Sequence, residues 1–112
     1  MDPLAKGPRC LAVGLPAALV AGEGFAPDEA ASIDYRSLAT AAALPAGVEL
    51  VIGPLFCTDF DALELIETLG ALGYRADVRI VAPKLPSRQM VLRELRAHAA
   101  RQGMSLKLVE GP

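Results

Sequence analysis

The most restrictive stretch is Val48-Glu49-Leu50-Val51-Ile52-Gly53, a nearly unbroken apolar run. It leads through Pro54-Leu55-Phe56-Cys57-Thr58-Asp59 into an amphipathic segment. A strand that is apolar on both faces must be covered on both faces, and such strands belong to parallel sheets flanked by helices. The segment that follows supports this. Ala62, Leu65, Ile66 and Leu69 fall at helical spacing on one stripe, with Glu64, Glu67 and Thr68 opposite. Asp59 or Thr58 is the expected N-cap, and Asp59, Asp61 and Glu64 suit the positive end of the helix dipole. Gly73 suits the position just past its C-terminus.

The rest of the chain repeats the alternation. Arg9–Gly14 reads as a buried first strand, and Pro16 with Ala17–Ala21 as a short helix stopped by Gly22 and Gly24. Residues 22–31 read as a connector; Gly22-Glu23-Gly24-Phe25 fits neither glycine-rich phosphate-binding pattern. Ser32–Arg36 alternates like an edge strand, and Ser37 caps a short helix over Leu38–Leu44. Asp77–Ala82 is the next strand. A long helix over Ser87–Gln102 has Val91, Leu92, Leu95 and Ala99 on its core side. Ser105–Val109 is the last strand, with Lys107 suited to an exposed edge. The expected fold is therefore α/β: a single-domain, parallel five-stranded sheet with helices, residues 1–8 being a flexible lead-in and 9–112 the domain.

Composition narrows the function classes. Eleven basic and thirteen acidic residues give a net charge of −2, a balance that argues against a dedicated nucleic-acid binder. With no tryptophan, two tyrosines and three phenylalanines, a base-stacking platform is not expected. No apolar run reaches the length of a membrane span, and the first residues lack a signal-peptide pattern, so a cytoplasmic protein is expected. Cys10 and Cys57 lack metal-ligand spacing and are expected as free thiols. Hydrophobic residues make up 53%, which hints at apolar surface kept for a partner.

Val51-Ile52-Gly53-Pro54-Leu55-Phe56-Cys57-Thr58-Asp59-Phe60-Asp61-Ala62-Leu63-Glu64-Leu65 resembles the third strand, loop and helix start of a response-regulator receiver domain. That family runs from an apolar strand through a phospho-acceptor aspartate and loop to Asp-Gly-Leu-Glu-Leu. Asp61-Ala62-Leu63-Glu64-Leu65 matches the last part with alanine for glycine. The resemblance is best over residues 47–83 and implies a receiver or flavodoxin-like fold. It does not carry the chemistry. Seven residues before Asp61, the phospho-acceptor position holds Pro54. The place of the Mg²⁺-binding acidic pair holds Gly14-Leu15-Pro16. Ala82 and Glu110 fall where the family has Ser/Thr and lysine. Phosphotransfer to a carboxylate needs these groups together. The resemblance implies a non-enzymatic pseudo-receiver, a signalling module that is not phosphorylated and uses no cofactor. It also implies a fold lacking the last helix, because no residues follow the fifth strand to form one. In a 2-1-3-4-5 sheet that loss would bare parts of Leu11, Val13, Leu50, Ile52, Leu106 or Leu108, favouring a protein partner or homodimer as cover.

Candidate site residues fall into two groups. Phe56, Cys57, Asp59 and Asp61 sit beyond the central strand, where α/β ligand sites form. Cys57 near a helix N-terminus gains nucleophilicity, but Asp59 and Asp61 oppose that. The two aspartates form a poor cation site and are explained by capping. A small enzyme or ligand-binding protein built on this loop is one alternative; a homodimeric assembly subunit is another. His98, paired with Glu94, reads as an ordinary surface histidine. The second group is the long helix's outer face, with Arg88, Arg93, Arg96 and Arg101 and, beside them, Met90 and Ala97. It reads as a solvated face, with exposed Met90 pointing to a protein contact.

Overall fold

Five strands and three helices are described, within residues 8–15, 29–45 and 47–110 of a computed structural model. They are β1 (Cys10–Val13), β2 (Ala30–Ile33), α1 (Tyr35–Thr40), β3 (Leu50–Pro54), α2 (Ala62–Ala71), β4 (Asp77–Ala82), α3 (Arg88–Arg101) and β5 (Ser105–Glu110). The sheet is parallel throughout, in the order β2-β1-β3-β4-β5, a flavodoxin-like topology. The helix expected over Ala17–Ala21, the Gly22–Phe25 connector and nearly all of the lead-in lie outside the described residues.

Register decides what each face of the sheet carries. Leu11, Val51, Val78 and Leu106 form one row across four strands. With Val13, Ile80 and Leu108 they face Leu38 of α1, Leu65, Ile66 and Leu69 of α2, and Leu95 and Ala99 of α3 in one buried cluster. All three described helices therefore cover the same face. Each fully buried aliphatic side chain there contributes roughly 1.5–3 kcal/mol. The next row on the opposite face is Ala12, Ile52, Arg79 and Lys107. Cys10, Ala12, Leu50 and Ile52 form its own small buried cluster.

This arrangement corrects the expectation of a bare sheet. All six residues thought to be exposed are buried. Leu11, Val13, Leu106 and Leu108 lie under the helices, while Leu50 and Ile52 belong to the other face. On β4 and β5 that second face carries Arg79 and Lys107 rather than leucines, because a strand alternates its side chains between faces.

The two longer helices end alike. At α2, Tyr74 N–H donates to Leu69 C=O and Gly73 N–H to Gly70 C=O, both at 3.0 Å. At α3, Met104 N–H donates to Ala99 C=O at 2.9 Å and Gly103 N–H to Ala100 C=O at 3.0 Å. This is the Schellman pattern, which needs a left-handed residue and a hydrophobic clasp. Gly73 (φ 82°) and Gly103 (φ 78°) supply the first; buried Tyr74 over Leu69 and Met104 over Ala99 supply the second. Each clasp turns the chain straight into the next strand.

Strand β2 begins two residues earlier than expected. Tyr35 and Arg36 open α1 instead of ending the strand, and α1 stops at Thr40. The cause is tertiary. The Tyr35 ring stacks on Phe60, with centroids 4.6 Å apart, and its hydroxyl shares a 2.9 Å hydrogen bond with Thr68 of α2.

Candidate functional site

In open α/β sheets the crevice at the strands' carboxyl ends, where the strand order reverses, is the usual ligand position. Here it lies between β1 and β3. Gly14 follows β1 with φ 71°, and Pro54 ends β3. The Phe60 ring fills the space against Gly14: a Cβ there would lie 2.9 Å from Phe60 Cε1 and 3.9 Å from Pro54 Cδ. Phe60 is buried and stacked on Tyr35. Aromatic packing thus occupies the place where polar groups would converge on a ligand.

The loop from Leu55 to Asp61 is built to hold that ring inward. Leu55 N–H donates to Val81 C=O at 2.9 Å and so prolongs the β3–β4 pairing. Ala62 N–H donates back to Leu55 C=O at 2.8 Å, Cys57 N–H donates to Phe60 C=O at 2.9 Å, and Phe56 pairs with Asp61 in an antiparallel bridge. Because the chain must pass through this bridge before turning, α2 starts at Ala62. Its N-cap is Asp61, whose carboxylate accepts the Glu64 N–H at 2.9 Å. The expected caps, Asp59 and Thr58, sit instead at the exposed loop tip with Cys57.

The four loop candidates therefore separate. Phe56 and Asp61 come together; Cys57 and Asp59 do not join them. Phe56 and Asp61 border an open groove of about 300 Å³ between the loop, the start of α2 and α3. Leu55, Leu63, Val91 and Leu95 supply its apolar surface, and Glu94 its second carboxylate. The sequence reading missed the groove. Val91, Glu94 and Leu95 carry the signal at helical spacing, but the spacing cannot say which element they face.

On α3, Arg88, Met90, Arg93, Arg96, Ala97 and Arg101 are all exposed, as their outward placement anticipates. Two of them have a further use. Arg88 Nη2 donates to Leu108 C=O at 2.7 Å, and Arg96 Nε donates to Leu106 C=O at 3.1 Å. Both acceptors are main-chain carbonyls of the outermost strand, β5. Arg93 borders two shallow depressions, one with Gln89, Leu92 and Arg96, the other with Pro86 and Met90. Met90 and Phe56 are the large hydrophobic side chains most exposed among the described residues, at 67% and 63%.

Electrostatic perturbation lies away from the loop. Burial pushes the Cys10 thiol up, partly offset by Arg79. Burial, then the nearby Asp77 carboxylate, holds the Tyr74 phenol well above its ordinary range. At the other end of the sheet the Arg9 guanidinium binds Glu29 and Glu49, and its hydrogen bond holds the Glu49 carboxyl below its ordinary value. Among the described residues, no three His, Cys, Asp or Glu side chains cluster as metal ligands, and no helix is long and apolar enough to cross a membrane. Compared with known proteins, the chain matches no family model, no curated protein and no solved structure.

Proposed function

We propose that the protein is a pseudo-receiver: a non-enzymatic regulatory module of the cytoplasm that acts through protein contacts and does not take up phosphate. The observation that carries this reading is the end of β3. The position that resembles a phospho-acceptor is Pro54, which has no nucleophile. Beside it, Phe60 packs against Gly14 where an acidic pair would hold Mg²⁺. Phosphoryl transfer to a carboxylate needs an acceptor, a metal and a cation for the developing charge in one place. Replacing that polar centre with an aromatic stack favours a rigid module over a switch driven by phosphate. The exposed α3 face, with Met90 beside Arg93 near the start of the helix and Arg101 at its end, is the partner surface in this reading; Met and Arg are both enriched in interfaces.

The test is incubation with acetyl phosphate and Mg²⁺, followed by intact-mass measurement. No mass gain is expected. An acid-stable, hydroxylamine-labile phosphate on any aspartate would overturn the proposal.

A further inference from the structure

We propose that the groove between α2 and α3 binds a cationic amphipathic segment of a partner protein, one with apolar anchor residues flanked by lysine or arginine. This goes beyond the pseudo-receiver reading and uses a different surface from the basic face of α3. Its apolar surface comes from Leu55, Leu63, Val91 and Leu95, and Phe56, a residue 63% exposed, forms one side. An aromatic ring left in water beside an apolar floor is suited to a contact that buries it. The volume, about 300 Å³, has room for a few side chains rather than a large cofactor.

Charge selects the occupant. Among the described residues, the charged groups that line the groove are Asp61 and Glu94, both carboxylates. Asp61 accepts one hydrogen bond, from Glu64 N–H, and a carboxylate has capacity for more. Two carboxylates bordering an apolar strip favour a segment whose leucine-like anchors are flanked by cations, and they repel acidic peptides and anionic lipid surfaces alike. The arginines of α3 are not among the lining residues. The helix thus shows a basic outer face and contributes an acidic residue to the groove.

Fluorescence anisotropy tests this with a labelled peptide of about 14 residues, with leucine at i, i+3, i+4 and i+7 and lysine elsewhere. A counterpart with glutamate for lysine is the control. Saturable binding of the Leu/Lys peptide alone is expected. Phe56→Ala and Glu94→Lys should each weaken it about tenfold or more, while Asp59→Lys, at the loop tip, should leave it within about twofold. Phe56 and Glu94 are exposed, and circular dichroism checks that each variant folds. Equal affinity for the wild type and both groove variants would overturn the proposal, as would equal binding of the Leu/Glu peptide or no saturation by about 1 mM. So would an oligomer of the wild type dispersed by both groove variants, because the occupant would then be a second copy. Phosphate uptake on an aspartate would overturn the pseudo-receiver reading and leave this proposal standing.

Discussion

Single residues decide what the carboxyl end of the sheet can do. Phe60 occupies the crevice because Gly14 offers no side chain; a methyl group there would lie 2.9 Å from the ring. One row deeper, Gly53 makes the same kind of room, since a Cβ would lie 2.5 Å from Leu65 Cδ2. The central strand thus gives up side-chain volume so that α2 can settle on the sheet. Tyr74 sets a limit on pH tolerance. Its hydroxyl donates to Asp77 C=O at 2.6 Å, and burial disfavours the phenolate. A phenol raised in the folded state adds stability below its unfolded value of about 10, and that stability is lost as pH rises through the folded value. The buried Cys10 thiol is raised as well, and its unfolded value lies near 8.5. The urea midpoint is therefore expected to hold steady from about pH 6 to 8, fall gently above about 8.5 and fall steeply above about 10. Tyr74→Phe should remove the steep part. A wild-type midpoint flat to pH 11 would contradict this account.

At the scale of elements, the strand–loop–helix unit from β3 to α2 is the most instructive. Three aspartates or hydroxyls stood as candidate caps within four residues. Local preference ranks Asp59, Thr58 and Asp61 almost equally. The bridge between Phe56 and Asp61, and the burial of Phe60, select the last. Asp61→Ala should lower unfolding free energy by about 1 kcal/mol, within a typical span of 0.5–2 kcal/mol. Asp59→Ala should change it by less than about 0.5 kcal/mol, as is usual for exposed sites without such a bond. Chemical denaturation of the two variants side by side separates the caps; the reverse order would place the helix start two residues earlier.

For the whole molecule, the outstanding problem is the edge at β5. An outer strand of a parallel sheet offers main-chain groups to any other strand that arrives. Arg88 and Arg96 reach from α3 to the carbonyls of Leu108 and Leu106, and Lys107 is exposed on the same strand. We read these three charges as guards against edge-to-edge pairing. The Arg88→Ala/Arg96→Ala protein should self-associate at concentrations where the wild type does not, with dynamic light scattering as the readout. A double variant with unchanged particle size would assign the two arginines to other work.

The boundary between local and tertiary information runs through particular residues. Periodicity determined that β3 is buried on both faces and that α2 and α3 each present one apolar stripe, and Gly73 marked the end of α2. These features depend on neighbours within one or two turns, so the order of residues contains them. Right-handed crossovers added to that pattern imply a parallel sheet with helices, whereas the 2-1-3-4-5 order was implied only by the resemblance to a receiver domain and is observed in the structure. Tertiary structure decided the rest. Leu50 and Ile52 resemble Leu106 and Leu108 in type but lie on opposite faces, because register joins Ile52 to Arg79 and Lys107. Phe56 and Glu94 meet in one groove although 38 positions apart, Asp61 rather than Asp59 caps α2, and Arg88 and Arg96 close an edge instead of pointing only to water. Each outcome is set by which distant segment a residue faces, and a pairing energy between remote segments leaves no periodic trace along the chain.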